Sequence, residues 1–171
     1  MKNIKLFLSV LLICVSFSAS SQVVSIGSLD EVKDVQRFRF EADFSEAIIH
    51  GLSVSDFAIY EPDWDKDYDE ILTEFVSAAN EELIKVNQII GINIDAEYTI
   101  RWKVLSINPK GNINSYVLII NCSGETIATI SHVKADGGTF GSKLNLIKDG
   151  AEHTGKKFGR FVSKQIKKLR K

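Results

Sequence analysis

The stretch EYTIRWKVLSINPKGNINSYVLIINCSGETIATISHVKA, residues 97–135, holds three apolar runs divided by two turn signals. From Glu97 to Ile107, Tyr98, Ile100, Trp102 and Val104 alternate with Thr99, Arg101 and Lys103. That period of two places one side-chain set on a buried sheet face. Pro109-Lys110-Gly111-Asn112 reads as a turn, because Pro presets φ and Gly accepts backbone angles that other residues resist. Ile113–Cys122 is a second strand, Ser123-Gly124 a second tight turn and Glu125–Ala135 a third strand. Short turns join antiparallel neighbours, so the three runs predict a meander.

Upstream, Phe38, Phe40, Ala42 and Phe44 alternate with Arg37, Arg39, Glu41 and Asp43, which predicts a first strand over 36–44. Between this strand and the meander, Ile71, Leu72, Phe75, Val76, Ala79, Leu83 and Val86 recur as the stripe of an amphipathic helix starting at Asp69. Asp67, Asp69 and Glu70 fall at its amino end, where the helix dipole favours negative charge. Residues 45–60 keep no single period, and a loop with a helical turn starting near Ser53 is expected there. Ile89–Ile94 reads as a buried extended connection.

Downstream, Asp136-Gly137-Gly138 ends the meander, and Ser142–Arg170 carries Leu144, Ile147, Ala151, Thr154, Phe158, Phe161 or Val162, Ile166 and Leu169 at helical spacing. Ala151, Gly155 and Gly159 recur every four residues and leave one line of this helix nearly bare. Each Gly weakens a helix by roughly 1 kcal/mol relative to Ala, so the line implies a groove that a sheet or helix approaches closely. The order strand, helix, three-strand meander, helix predicts an α+β fold. Two layers are expected, a mainly antiparallel sheet with the helices on one face.

The chain has 171 residues and a formal net charge of −1, a length suited to one ordinary domain. Residues 1–21 combine Lys2 and Lys5, an apolar run from Leu6 to Val15 and a small-residue ending, the pattern of a cleaved secretory signal. Residues 22–171 are then a single exported α+β domain, periplasmic or secreted. The apolar run is short of the about 20 residues a membrane span needs. Cys14 is preceded by Ile13, not by the small residue that lipoprotein processing wants, so lipidation is not expected. Without Cys14 the remaining cysteine, Cys122, forms no internal disulfide.

The near-neutral total conceals an asymmetry. Residues 143–171 hold ten Lys or Arg against two acids, a net of +8, whereas residues 22–142 hold nine against twenty, a net of −11. The basic helix, with Lys156, Lys157, Arg160, Lys164, Lys167, Lys168 and Arg170, is the candidate contact surface for an envelope protein or an anionic membrane. Its charge also suits attraction to the acidic remainder of the chain itself. A nucleic-acid partner is not expected, given the export signal and that remainder.

The second charged feature is Asp63, Asp65, Asp67, Asp69 and Glu74, at positions 1, 3, 5, 7 and 12 of a calcium-loop pattern. Tyr68 stands where that loop requires Gly, so a solvated acidic loop leading into a helix is the plainer reading and calcium the alternative. Catalytic patterns are thinner. With Ser123-Gly124 as the turn, His132 falls opposite about residue 115, roughly 23 Å along the strand from Cys122, which separates thiol and base. The same register sets Ser115 near His132, with no acid to orient the ring. Gly137–Lys143 lacks the order of a phosphate loop and reads as a strand-to-helix hinge. A hydrolase with an unrecognised site is the remaining enzyme reading; no cofactor and no catalytic residue are assigned, and a non-enzymatic role is expected.

The signal's closing Ala19-Ser20-Ser21 before Gln22, the segment FSEAIIHG at 44–51 and the closing GGTFGSKLNLIKDGAEHTGKKFGRF together resemble small exported Gram-negative bacterial proteins of unassigned function. The element order over residues 36–170 is similar to the amino-terminal domain of the Tol translocation protein and the soluble domain of the curli secretion channel. That likeness implies a fold and no activity.

Overall fold

The alternation in residues 97–135 becomes three long antiparallel strands in the computed structural model, which describes residues 22–171. The expected signal peptide and Cys14 lie outside those residues. The meander consists of β6 (Thr99–Ile107), β7 (Ile113–Ile120) and β8 (Thr126–Ala135). Ile100, Trp102 and Val104 face the core as predicted. A register shift between Val104 and Ser106 then changes the parity, so Ile107 is buried and Leu105 exposed.

The predicted first strand is β2 (Arg37–Asp43), and it lies beside β6 in parallel register, Phe40 opposite Ile100 and Ala42 opposite Trp102. Parallel neighbours need a long crossover, and residues 44–98 supply it. The sheet holds more strands than the sequence pattern suggests. β1 (Val23–Gly27) pairs antiparallel with β8, β3 (Ile48–Ile49) and β4 (Leu52–Ser53) form a small hairpin against β6, and β5 (Ile89–Gly91) pairs in parallel with β2. The expected extended connection at 89–94 is therefore in part an edge strand. Asn80 seals that edge: its amide nitrogen donates to Ile90 O at 2.9 Å and its oxygen accepts from Ile90 N at 2.8 Å. The strand order is β1-β8-β7-β6-β2-β5, mainly antiparallel, in an α+β arrangement.

Three helices pack on the sheet. α1 (Val54–Tyr60) starts where expected, with Ser53 Oγ accepting from Asp56 N at 3.2 Å as its cap. α2 (Trp64–Leu83) starts five residues before Asp69, because Trp64 is itself a core residue, packed edge-on against Phe44 and Phe57. It passes through a 3-10 turn, Ile84–Val86, and ends at Asn87 in the left-handed conformation. α3 (Lys143–Leu169) is capped by Ser142. Phe75 of α2 joins the layers, stacked on Trp102 of β6 at 4.5 Å and on Phe40 of β2 at 4.9 Å, with Phe158 of α3 at 5.8 Å.

The bare line on α3 receives α2. A methyl group on Gly155 would stand 2.9 Å from Phe75 Cα, and one on Gly159 3.0 Å from Ala79 Cα, each closer still to the carbonyl oxygen. Gly155 thus faces Phe75 and Gly159 faces Ala79, four residues further along both chains, so the two helices run parallel. Among the described residues no helix is long and apolar enough to cross a membrane.

Candidate functional site

The parallel helices align acids of α2 with bases of α3. Lys148 pairs with Asp67 at 3.2 Å and with Glu70, Lys156 lies 4.0 Å from Glu81, and Arg160 lies 3.6 Å from Glu82. Before α2, Glu61 meets Lys143 at 2.8 Å, and the same ammonium donates to Tyr60 Oη at 2.7 Å. Hydrogen bonds to Glu70 and Glu61 hold the Lys148 and Lys143 ammoniums above their ordinary pKa. Lys157 donates to Lys134 O at 3.1 Å. Along the first two-thirds of α3 the charge asymmetry of the sequence is therefore satisfied within the chain.

The pairing stops where α2 stops. With Gly159 against Ala79, the end of α2 at Leu83 lies near position 163 of α3, which continues to Leu169. The last six residues of α3 overhang by about 9 Å. Lys164, Lys167, Lys168 and Lys171 all belong to this overhang, are exposed, and lie beyond 4 Å of any carboxylate among the described residues. Arg170 behaves differently: it donates to Val86 O at 2.7 Å and to Lys33 O, and lies 3.5 Å from Asp34, so it clasps the helix end onto the body.

A groove of about 450 Å³ opens at this end. Glu82 and Lys85 form one wall, and Arg160, Ser163, Lys164, Lys167, Lys168 and Lys171 the other. Glu82 is mostly buried; its hydrogen bond from Lys85 at 2.6 Å, assisted by Arg160, holds the carboxyl below the ordinary carboxylate range. It thus stays ionised and fixes two of the cations. Of the predicted contact residues, Arg160, Lys164, Lys167 and Lys168 line this groove. Lys156, Lys157 and Arg170 bond within the fold. Lys85 was missing from the sequence reading because only the end of α2 brings it beside α3.

The acidic series is not a loop. Asp63 caps α2 by position, without a side-chain bond, while Asp65, Asp67, Asp69 and Glu74 lie on the helix. At about 100° per residue, Asp63, Asp67 and Glu74 share one face and Asp65 and Asp69 the opposite one. Carboxylates so divided do not converge on one ion, and Asp67 is engaged by Lys148. Among the described residues no three His, Cys, Asp or Glu side chains are grouped to hold a metal.

The candidate nucleophiles are also apart. A bulge in β8 places Val133, not His132, opposite Ser115, and Ser115 Oγ donates to Val133 O at 2.6 Å inside the core. His132 takes the extra position of the bulge with φ 59° and is exposed. Cys122 is exposed at the other end of the strand. Gly137 and Gly138 form the expected hinge, where a side chain on Gly137 would strike the backbone of Gly111.

No family model matches the chain. No curated protein matches it either. Among solved structures it is similar to the PelC dodecamer from Paraburkholderia phytofirmans, at a TM-score of 0.41 and 8% identity, over 80% of this chain and 95% of that one.

Proposed function

We propose that this protein is an exported, non-enzymatic module of the bacterial envelope that docks onto an anionic partner through the basic end of α3. The observation that carries the reading is the overhang. Four lysines project past the acids of α2 while every other base of α3 has an internal partner or, for Lys157, a carbonyl. Cations held at close spacing and left unneutralised raise the local concentration of anions and speed their encounter. The signal-like residues 1–21 support export, and among the described residues the side chains of the suggested metal and thiol patterns stand apart. The resemblance to small exported Gram-negative proteins agrees with this role.

Two measurements test it. Fractionation of the producing cells with sequencing of the mature amino terminus should find the chain outside the cytoplasm and beginning near Gln22. Retention on immobilised poly-glutamate should fall as salt rises and disappear in a Lys164→Gln, Lys167→Gln, Lys168→Gln, Lys171→Gln variant. Cytoplasmic recovery of an uncut chain, or retention that ignores those four lysines, refutes the proposal.

A further inference from the structure

We infer that the anionic partner of this end is a lipid surface, with Lys164, Lys167, Lys168 and Lys171 meeting headgroup phosphates and Ile84 entering the interface between them; this rests on the docking role proposed above. Three observations favour a lipid surface over an acidic protein. The first is the division of labour among the cations. Both arginines of the region are engaged within the fold, Arg160, although exposed, by Glu82 at 3.6 Å and Arg170 by Asp34, Val86 O and Lys33 O, and among the described residues only lysines lack a carboxylate partner there. Arginine gives planar, bidentate recognition of fixed carboxylates, whereas lysine is a hydrated point charge on a flexible stem, suited to anions that move laterally.

The second is Ile84. It stands in the 3-10 turn between Glu82 and Lys85 of the groove wall, and 66% of its surface is exposed. An exposed large aliphatic side chain at the same end of the molecule as a cluster of lysines is the composition of interfacial membrane contacts, where apolar insertion and charge attraction add. The third is geometry. Lys164, Lys167 and Lys168 belong to the last two turns of α3, Lys171 follows two residues past its end, and the isoleucine lies in the turn ending the parallel helix, so all reach the same end of the molecule. An approaching plane meets them together.

The test uses the chain from Gln22 onward, which contains every residue of the core between Leu29 and Ile166. It is mixed with phosphatidylcholine vesicles, with and without phosphatidylglycerol, at about 0.1 M and about 1 M salt, where screening lengths are about 10 and 3 Å. Binding is expected to require phosphatidylglycerol and to vanish at high salt. Each Lys→Gln change in the overhang should weaken it about fivefold, and all four together several-hundred-fold. Ile84→Ser should weaken vesicle binding about tenfold and leave retention on poly-glutamate unchanged. A Lys66→Gln, Lys110→Gln control, with two exposed cations outside this region, should bind as the parent does. Unchanged circular dichroism and melting establish that the variants fold.

Absence of binding to phosphatidylglycerol vesicles, or equal losses in the control, overturns the lipid assignment. If poly-glutamate retention through the four lysines persists in that case, an acidic protein is the partner and the broader docking role stands. If neither matrix holds the chain, both proposals fall. Ile84→Ser vesicle binding equal to that of the parent overturns the insertion.

Discussion

Replacing Gly155 by Ala should destabilise this protein, although in an unconstrained helix the same change stabilises by about 1 kcal/mol. The added methyl would stand 2.9 Å from both Cα and C of Phe75, against about 3.4 Å for ordinary contact. The helices must therefore part by about 0.5 Å at the carbons and further at the carbonyl oxygen. Phe75 cannot give way cheaply, since it is fully buried and stacked on Trp102 and Phe40. Overpacking costs about 1–3 kcal/mol, and because the atoms the methyl meets are backbone the upper part of that range, about 2–3 kcal/mol, applies, so the net loss after the helix gain of about 1 kcal/mol is about 1–2 kcal/mol. Adding Gly159→Ala, where Ala79 Cα lies at 3.0 Å, should deepen the loss without strict additivity, because the sites share one seam. Urea unfolding reads the effect as a lower midpoint at constant slope. A Gly155→Ala protein as stable as the parent, or more so, would show that the glycines do not serve close approach. The seam also sets the alignment of Arg160 with Glu82, so the double variant should bind anionic vesicles more weakly.

Phe75→Ala removes the side chain that joins α2, α3 and the sheet; a loss of about 3–5 kcal/mol is expected, and a melting temperature lower by about 10 °C checks it. Arg170→Ala should cost about 1–2 kcal/mol and speed amide exchange in residues 32–36, because the clasp on Lys33 O, Val86 O and Asp34 is lost; unchanged exchange there would deny it that role. Glu82 has its folded-state pKa below its unfolded value, chiefly through Lys85, so its pairing stabilises the fold above the unfolded pKa of about 4.3 and is lost as pH falls through the folded value. Glu82→Gln should accordingly flatten the acid limb of a stability–pH curve. His50 is shifted down by burial first and by the Lys143 charge second, so stability should decline as pH drops below about 6.5, and His50→Gln should remove that decline.

The meander was legible because its alternation and its turn residues agree over almost 40 residues, and Trp102 and Val104 went where the period sent them. What escaped the pattern has local causes. The bulge at His132 shifts pairing by one residue without any sequence mark, which moved Ser115 from His132 to Val133. β1 presents Val23, Ser25, Ile26 and Gly27 to solvent and so shows no buried face. The start of α2 was obscured because Asp65, Asp67 and Asp69 read equally as loop ligands or as a first turn, and only the burial of Trp64 separates the two. Gly155 and Gly159 announced a close approach, but its partner depends on sheet order, which no local pattern encodes. The lysine overhang depends on the offset between two helices about 80 residues apart in sequence.

The same offset answers whether the terminal lysines exist only to offset helix dipoles. α2 and α3 are parallel, so two carboxyl ends meet at this edge and contribute about half a negative charge each. Four lysines exceed that sum by about three charges. The dipole effect is also confined to the last turn, whereas Lys164 lies more than a turn before Leu169. Internal neutralisation is equally spent, since Glu81 and Glu82, the last acids of α2, are matched by Lys156, Arg160 and Lys85. A protein needing only balance would have ended α3 with α2. Extending the helix two turns further buries Ile166, partly covers Leu169 and carries Arg170 to its clasp on Val86 O, Lys33 O and Asp34, while the four lysines keep no carboxylate partner among the described residues, the surplus on which the proposed docking role rests.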